Sequence, residues 1–337
     1  MTGSPRANGD GDGDADVAAT DAPSRSLLFG ALSLDIYLGR DLILPGGGAL
    51  NMAWAWRRAG FDGHLLTRIG DDRPDVFLEF LGRHGIPYSP GSIVGAGPSA
   101  SIDIVIQVDR QPHMDHFVEG VWANLRLTDE ETALVAGADR FHAVLVEGAI
   151  AEVHRLGEAG ALRHLVVSAD FLGFRHYTVE RFARTMAHVD LGFVGWPGDP
   201  ADPVVAGIRA VAFHLGRLVV VTLGSRGVLV IDGRPGTGPT ERRIPVTAVP
   251  VLGTTVGCGD AFIAAFLASF WRDADVDAAV EVGKIAGAAA TAWRRPLPDA
   301  AYGPAAAEAL RLADEEAEED QDEPADGDRP AGAGLPA

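Results

Sequence analysis

The chain is nearly devoid of lysine and cysteine. Lys284 is its single lysine, and Ile285 follows it, so there is no Walker A loop, which needs Ser or Thr after the lysine. Any phosphate must be held in another way. Cys258, the single cysteine, cannot close an internal disulfide and excludes zinc-ribbon and iron–sulfur frameworks. Long apolar runs are missing too. The strongest apolar helical candidate, residues 261–271, falls far short of the roughly 20 residues that span a bilayer. The amino terminus lacks the basic start and apolar run of a secretory signal. A cytoplasmic protein without a membrane partner is expected.

Basic residues are scarce relative to acidic ones: 28 Lys and Arg against 47 Asp and Glu leave a net charge of −19 in 337 residues. An acidic surface with no basic stripe repels phosphate backbones, so no nucleic-acid partner is expected. The excess is concentrated at the ends: residues 1–25 carry −3 and residues 314–337 carry −9, leaving −7 on residues 26–313. Both ends have few large apolar side chains and are expected to be disordered, solvating tails around one folded domain, 26–313.

Within that domain, short apolar runs alternate with amphipathic stretches. Strands are expected at 27–32, 64–69, 141–146, 164–169 and 218–223, and helices at 49–58, 75–84, 261–271 and 276–293. Thr128 and Glu131 have the spacing of a capping box. This alternation predicts an α/β fold, a mainly parallel sheet covered by helices on both faces. One segment breaks the rhythm. Residues 101–108 and 113–118 read as two adjacent strands about a turn at Asp109-Arg110-Gln111-Pro112, a hairpin that is either a lid or an oligomer contact.

Three stretches carry chemistry. In Pro45-Gly46-Gly47-Gly48-Ala49-Leu50-Asn51, glycines just before a helix let the backbone approach a ligand, and Asn51 can both donate and accept. Asp35, after the first strand, could accept from neighbouring hydroxyls. Val221-Thr222-Leu223-Gly224-Ser225-Arg226-Gly227 is a turn at a strand end, where α/β sheets bind ligands. Each of these two also reads as an ordinary turn. The third is more telling: Gly253-Thr254-Thr255-Val256-Gly257-Cys258-Gly259-Asp260 runs straight into an apolar helix. Gly257 and Gly259 would leave amides open to an anion, and Asp260 in the first turn could take a proton from an attacking hydroxyl. The plainer reading of Asp260 is a charge complementing the helix dipole. Cys258 is expected to pack as a small apolar residue.

With these motifs in this order, the chain resembles the ribokinase-like (PfkB) family of sugar and nucleoside kinases from about residue 27 to 295, including an Arg68-Ile69-Gly70-Asp71-Asp72 turn. The resemblance implies a three-layer α/β/α ribokinase-like sandwich with a small β-hairpin lid near 101–118, and an ATP-dependent, magnesium-requiring carbohydrate kinase. Asp260 would be its catalytic base, with Gly257, Cys258 and Gly259 forming the anion hole. Asp35, Gly46, Gly47 and Asn51 would bind the substrate, and Thr222, Gly224, Gly227 and Thr255 would bind ATP. Some family members pair as homodimers through the lid. Leu34-Asp35-Ile36-Tyr37, Glu119-Gly120-Val121-Trp122-Ala123 and Ala169-Asp170-Phe171 are similar to the fructoselysine 6-kinase-like branch, whose substrates are fructosamines. A nucleoside kinase and a regulatory paralogue with weak catalysis are the alternatives.

Two departures stand out. Thr254 occupies the place of the family's aspartate, which puts monovalent-cation activation in doubt, and Gly195-Trp196-Pro197-Gly198-Asp199 replaces the Asn-x-x-Glu motif linked to magnesium. The metal ligands are left unassigned. His113, Asp115 and His116 could ligate a metal, although contact with substrate or solvent is expected; Arg110 could reach a phosphate or be a solvated turn residue. Trp54 and Trp56, at i and i+2, are expected to face different sides of their helix.

Overall fold

The computed structural model describes residues 25–322 except 40, 41, 91, 92, 108, 109 and 237. Its central sheet is built from runs buried on both faces, as parallel strands covered on either side require. Strand β1 (Ser26–Phe29) is wholly buried and pairs in parallel with β4 (Gly63–Leu66) and β7 (Arg140–Val144). Parallel strands β8 (Val166–Asp170), β9 (Leu191–Gly195) and β10 (Leu218–Thr222) follow, and antiparallel β11 (Val228–Asp232) and β12 (Thr240–Ile244) complete eight.

Alternation along these strands splits the core into two layers. Leu28 and Val220 face one way, against α1 (Gly48–Arg58), α2 (Pro74–His84), α7 (Cys258–Asp273) and α8 (Val276–Ala290). Leu27, Phe29, Val219 and Val221 face the other way, against α3 (Asp129–Ala136), α4 (Glu147–Glu158), α5 (Val179–Met186) and α6 (Pro203–Leu215). The result is the expected three-layer α/β/α sandwich. Trp56 packs on Phe61 and Trp271 while Trp54 meets His84 and Trp293, so the two indoles do face different sides. Thr128 and Glu131 form the capping box, each side chain bonded to the other's amide. Among the described residues no helix is long and apolar enough to cross a membrane.

The projecting hairpin is half of a larger element. Strands β5 (Ala100–Ile106) and β6 (Pro112–Val118) join β2 (Ser33–Tyr37) and β3 (Leu42–Gly46) in a four-stranded sheet, ordered β3-β2-β5-β6. The expectation of a strand over 27–32 ran β1 into the bend that follows it. Pro45 and Gly46, expected in a glycine-rich turn, are the end of β3. Strand β3 is a sheet edge, where proline's missing N–H costs no ladder bond. The tip of the hairpin, 108–109, lies outside the described residues.

The expected carboxy-terminal boundary at 313 is also corrected. Helix α9 (Pro304–Asp322) continues across it, and Asp314 is buried. Its carboxylate pairs with fully buried Arg295 at 2.9 Å and with Arg294 at 3.2 Å, so this first acidic residue of the presumed tail is a core anchor. The amino-terminal tail to residue 24, and the carboxy-terminal tail from 323, fall outside the described residues.

Candidate active site

Strand order reverses at β1, whose successors β4 and β7 lie on opposite sides of it. Such a switch point opens a crevice beyond the carboxyl ends of the strands. Ala31, just past β1, and Val144 and Val146, at the end of β7, line a cavity of about 240 Å³ there. The four-stranded sheet contributes Ile102, Ile104 and Met114 to the same cavity. It is therefore placed as a lid.

The triple glycine is explained position by position. A Cβ on Gly46 would lie 2.1 Å from Asp35 Oδ2, so only hydrogen leaves room for that carboxylate. Gly47, the N-cap of α1, has φ 94°, a region L side chains rarely adopt. A Cβ on Gly48 would come within 3.0 Å of Asp260 Oδ1. The loop thus lets one helix start pass between two carboxylates.

Those carboxylates are held from different directions. Asp35 is buried on β2, and its Oδ1 accepts a 2.7 Å hydrogen bond from Ser33 Oγ. Asp260 sits in the first turn of α7, where Oδ2 accepts from Asn51 Nδ2 at 2.7 Å, across 209 residues of sequence. Asn51 lines the cavity and is itself buried, and its Oδ1 has no hydrogen-bond partner among the described residues. Burial pushes Asp260 up to about 6 against the opposing Asn51 bond. Burial, with Asp260 adding to it and Ser33 opposing it, pushes Asp35 up to about 7. Asp170, buried at the end of β8, rises to about 7 through burial and then the charge of Asp260, although Leu172 N–H donates to it at 2.8 Å.

Helix α7 begins at an open corner. Gly257, its N-cap, has φ 77°, and a Cβ there would strike Pro296, whereas nothing lies within 4 Å of a Cβ on Gly259. No side chain caps this helix start; Cys258 N–H donates to the Thr255 carbonyl at 3.3 Å, and the Gly259 and Asp260 amides have no acceptor among the described residues. Cys258 does pack: burial, then Asp260, pushes its thiol up to about 12, so it remains protonated and weakly nucleophilic at neutral pH.

Asp35, Gly47, Asn51, Gly257 and Asp260 all line the one cavity; Gly46 backs Asp35, and Cys258 and Gly259 complete the helix start. The residues expected to bind ATP do not line it. Thr222 ends β10 on the same edge of the sheet, followed by the turn through Gly224 (φ 58°) and Gly227 (φ 105°). Thr255 lies just before Gly257, its hydroxyl donating to Gln111 Oε1 at 2.9 Å. Asp199, the remaining carboxylate of the missing magnesium motif, accepts from Ala201 N–H at 2.8 Å. His116 pairs with Asp103 at 3.0 Å on the exposed lid, and among the described residues no three His, Cys, Asp or Glu side chains form a group able to hold a metal.

Two titratable cavity residues escaped sequence reasoning. Arg175 and His176 line the wall from the loop after β8, where Leu172 and Phe174 hold φ near 53° and 61°. His176 Nδ1 lies 3.3 Å from Glu147, which Arg181 grips with both its terminal nitrogens. The signal was a non-glycine loop bent into the left-handed region, which composition does not reveal.

Comparison with known proteins agrees with this architecture. The model of the pfkB family carbohydrate kinases matches residues 190–294. Fructoselysine 6-kinase of Escherichia coli is 27% identical over 238 residues, 69% of this chain and 84% of that protein. Cytidine kinase of Thermococcus kodakarensis is 24% identical over 276 residues, 76% and 92% of the two chains. The solved ribokinase of Arabidopsis thaliana complexed with ribose and ATP superposes with a TM-score of 0.64 at 18% identity, covering 87% of this chain and 99% of that one. The chain has the ribokinase-like fold, and its residues 190–294 match the model of the pfkB family carbohydrate kinases.

Proposed function

We propose that the protein transfers a phosphoryl group from ATP to a hydroxyl of a small sugar or sugar derivative, with Asp260 as general base. The observation that carries this is the Asn51–Asp260 hydrogen bond at the mouth of an uncapped helix in a cavity shared with Asp35. A base near pH 6 is mostly deprotonated at neutral pH, yet basic enough to assist a hydroxyl. The hydroxyl proton passes to Asp260, and the first-turn amides of α7 face the charge that develops on the phosphoryl oxygens. Asp35 and the unpartnered Oδ1 of Asn51 bind sugar hydroxyls, with Gly46 and Gly47 giving close backbone approach. Thr222, Gly224, Gly227 and Thr255 serve the nucleotide. Magnesium enters with ATP, and phosphate oxygens and water supply most of its ligands. Closure of the lid excludes water from the transfer.

A fructosamine such as fructoselysine is the favoured acceptor, supported by the 27% identity to fructoselysine 6-kinase. The cytidine kinase relative favours a nucleoside as the second reading. The setting would be the cytoplasm, where ATP is available. The lid leaves Ile43, Val105 and Val118 exposed, and we place a second copy of the chain against it; light scattering of a monomer at micromolar concentration would count against that pairing.

The deciding experiment measures ADP release over fructoselysine, ribose and cytidine. Turnover of one acceptor, lost in Asp260→Asn while binding persists, is the expected result. Binding heat without ADP from any of them would favour a regulatory paralogue.

A further inference from the structure

The lid turn is fastened to the loop that leads into the anion site. Thr254 Oγ1 donates to the Arg110 carbonyl at 3.2 Å, and the neighbouring Thr255 hydroxyl donates to Gln111 Oε1 at 2.9 Å. Thr254 is fully buried, so this is an interior anchor. Two residues separate it from Gly257, where α7 opens. Arg110 itself holds φ 63°, a conformation that disfavours any residue with a Cβ. Its exposed guanidinium has no hydrogen-bond or ion-pair partner among the described residues.

Two cations near the nucleotide turn are committed: Arg226 donates to the Pro197 carbonyl and Arg243 to that of Arg226. Arg242 is paired with Asp277, whereas Arg175, on the cavity wall, likewise has no hydrogen-bond or ion-pair partner among the described residues. Lys284, the one lysine, is paired with Glu281. A transferring phosphoryl group carries charge that a chain without a P-loop lysine must offset with something else. We propose that Arg110, held by its own backbone on Thr254, places its guanidinium against the transferring phosphoryl group as an arginine finger supplied by the lid. This rests on the kinase reading above. In the step, the acceptor oxygen forms the new O–P bond, its proton goes to Asp260, and the bond between the γ-phosphorus and the bridging oxygen breaks. ADP leaves with that electron pair, and Arg110 stabilises the phosphoryl oxygens throughout. The latch ties this charge to lid position: the finger is in place only when the lid is down.

Arg110→Gly tests it cleanly. Glycine accepts the left-handed backbone and keeps the carbonyl that Thr254 grips, so only the side chain is lost. The expected result is an unchanged or raised Tm and an unchanged thermal shift with MgADP. On whichever of fructoselysine, ribose or cytidine the wild type turns over, kcat falls by about 100- to 1,000-fold, with acceptor KM moved by less than about threefold. Arg110→Lys recovers part of kcat. An Arg110→Gly enzyme that keeps kcat within about threefold of wild type would overturn the proposal while leaving the kinase reading intact. A wild type that releases no ADP with any of the three acceptors overturns that reading and the finger with it.

Discussion

Asn51 Nδ2 lies 2.7 Å from Asp260 Oδ2, joining the helix after the glycine loop to the helix after the anion site. The asparagine therefore has two duties. One end orients the candidate base and keeps its pKa from rising further, and the other is a buried acceptor with no partner among the described residues. Asn51→Leu removes both. Without the donor, Asp260 rises above its present value of about 6, so the acid limb of the kcat/KM profile moves to higher pH. A pH–rate profile of ADP release checks this; an acid limb that stays in place would sever the two residues functionally.

Asp260→Asn should abolish most turnover, by about 10²- to 10⁴-fold for loss of a general base. The same change should stabilise the unliganded protein at high pH. Asp260 near 6, with Asp35 and Asp170 near 7, binds protons more tightly folded than at the ordinary value of 3.8. The folded state thus holds more protons than the unfolded one between about pH 4 and 7, and stability falls as pH rises through that window. The Tm of Asp260→Asn should exceed that of the wild type at pH 8 and the difference should shrink towards pH 4. Scanning calorimetry across that range gives the sign directly.

Gly46 is a test of space rather than charge. Its missing Cβ is what admits the Asp35 carboxylate, which would otherwise stand 2.1 Å away. Gly46→Ala should displace Asp35 and raise acceptor KM by about tenfold or more, since a group forced out of alignment costs binding as well as rate. Nucleotide binding should be spared, because Gly224 and Gly227 do not line the cavity that Asp35 lines. Isothermal titration with MgADP and KM for the acceptor separate the two effects.

The legibility of this chain follows from what each element depends on. The buried runs of β1 and β10 announced a parallel sheet because strands covered on both faces have no polar side to mask them. Asp260 and Gly257 were readable because a helix start needs few residues to define it. The lid was half seen: β3 ends in Pro45-Gly46, a turn by composition, and becomes a strand only through its pairing with β2. Arg175 and His176 owe their place to Leu172 and Phe174 in left-handed backbone, which tertiary packing imposes. The Asn51–Asp260 bond spans the whole domain and has no local signature.

The end of the domain is the last case. Composition placed a tail boundary at 313, yet buried Asp314 pairs with Arg295, whose other terminal nitrogen bonds Asp299 at 2.8 Å. Arg295 precedes Pro296, the residue that lines the cavity and against which a Cβ on Gly257 would clash. The helix α9 anchor and the anion-site corner are therefore adjacent residues of one loop. Removing Asp314 leaves Arg295 with Asp299 as its one carboxylate partner among the described residues and costs about 1.5–3 kcal/mol, the worth of a buried hydrogen bond to a charged group. A chain ending at residue 312 should therefore lose that much stability and a large part of kcat, whereas a chain ending at 322 should match the full-length protein in both. Asp314→Ala within the full chain should reproduce the loss. Urea unfolding of the two truncations measures the difference, and equal stability of the two would return the boundary to 313.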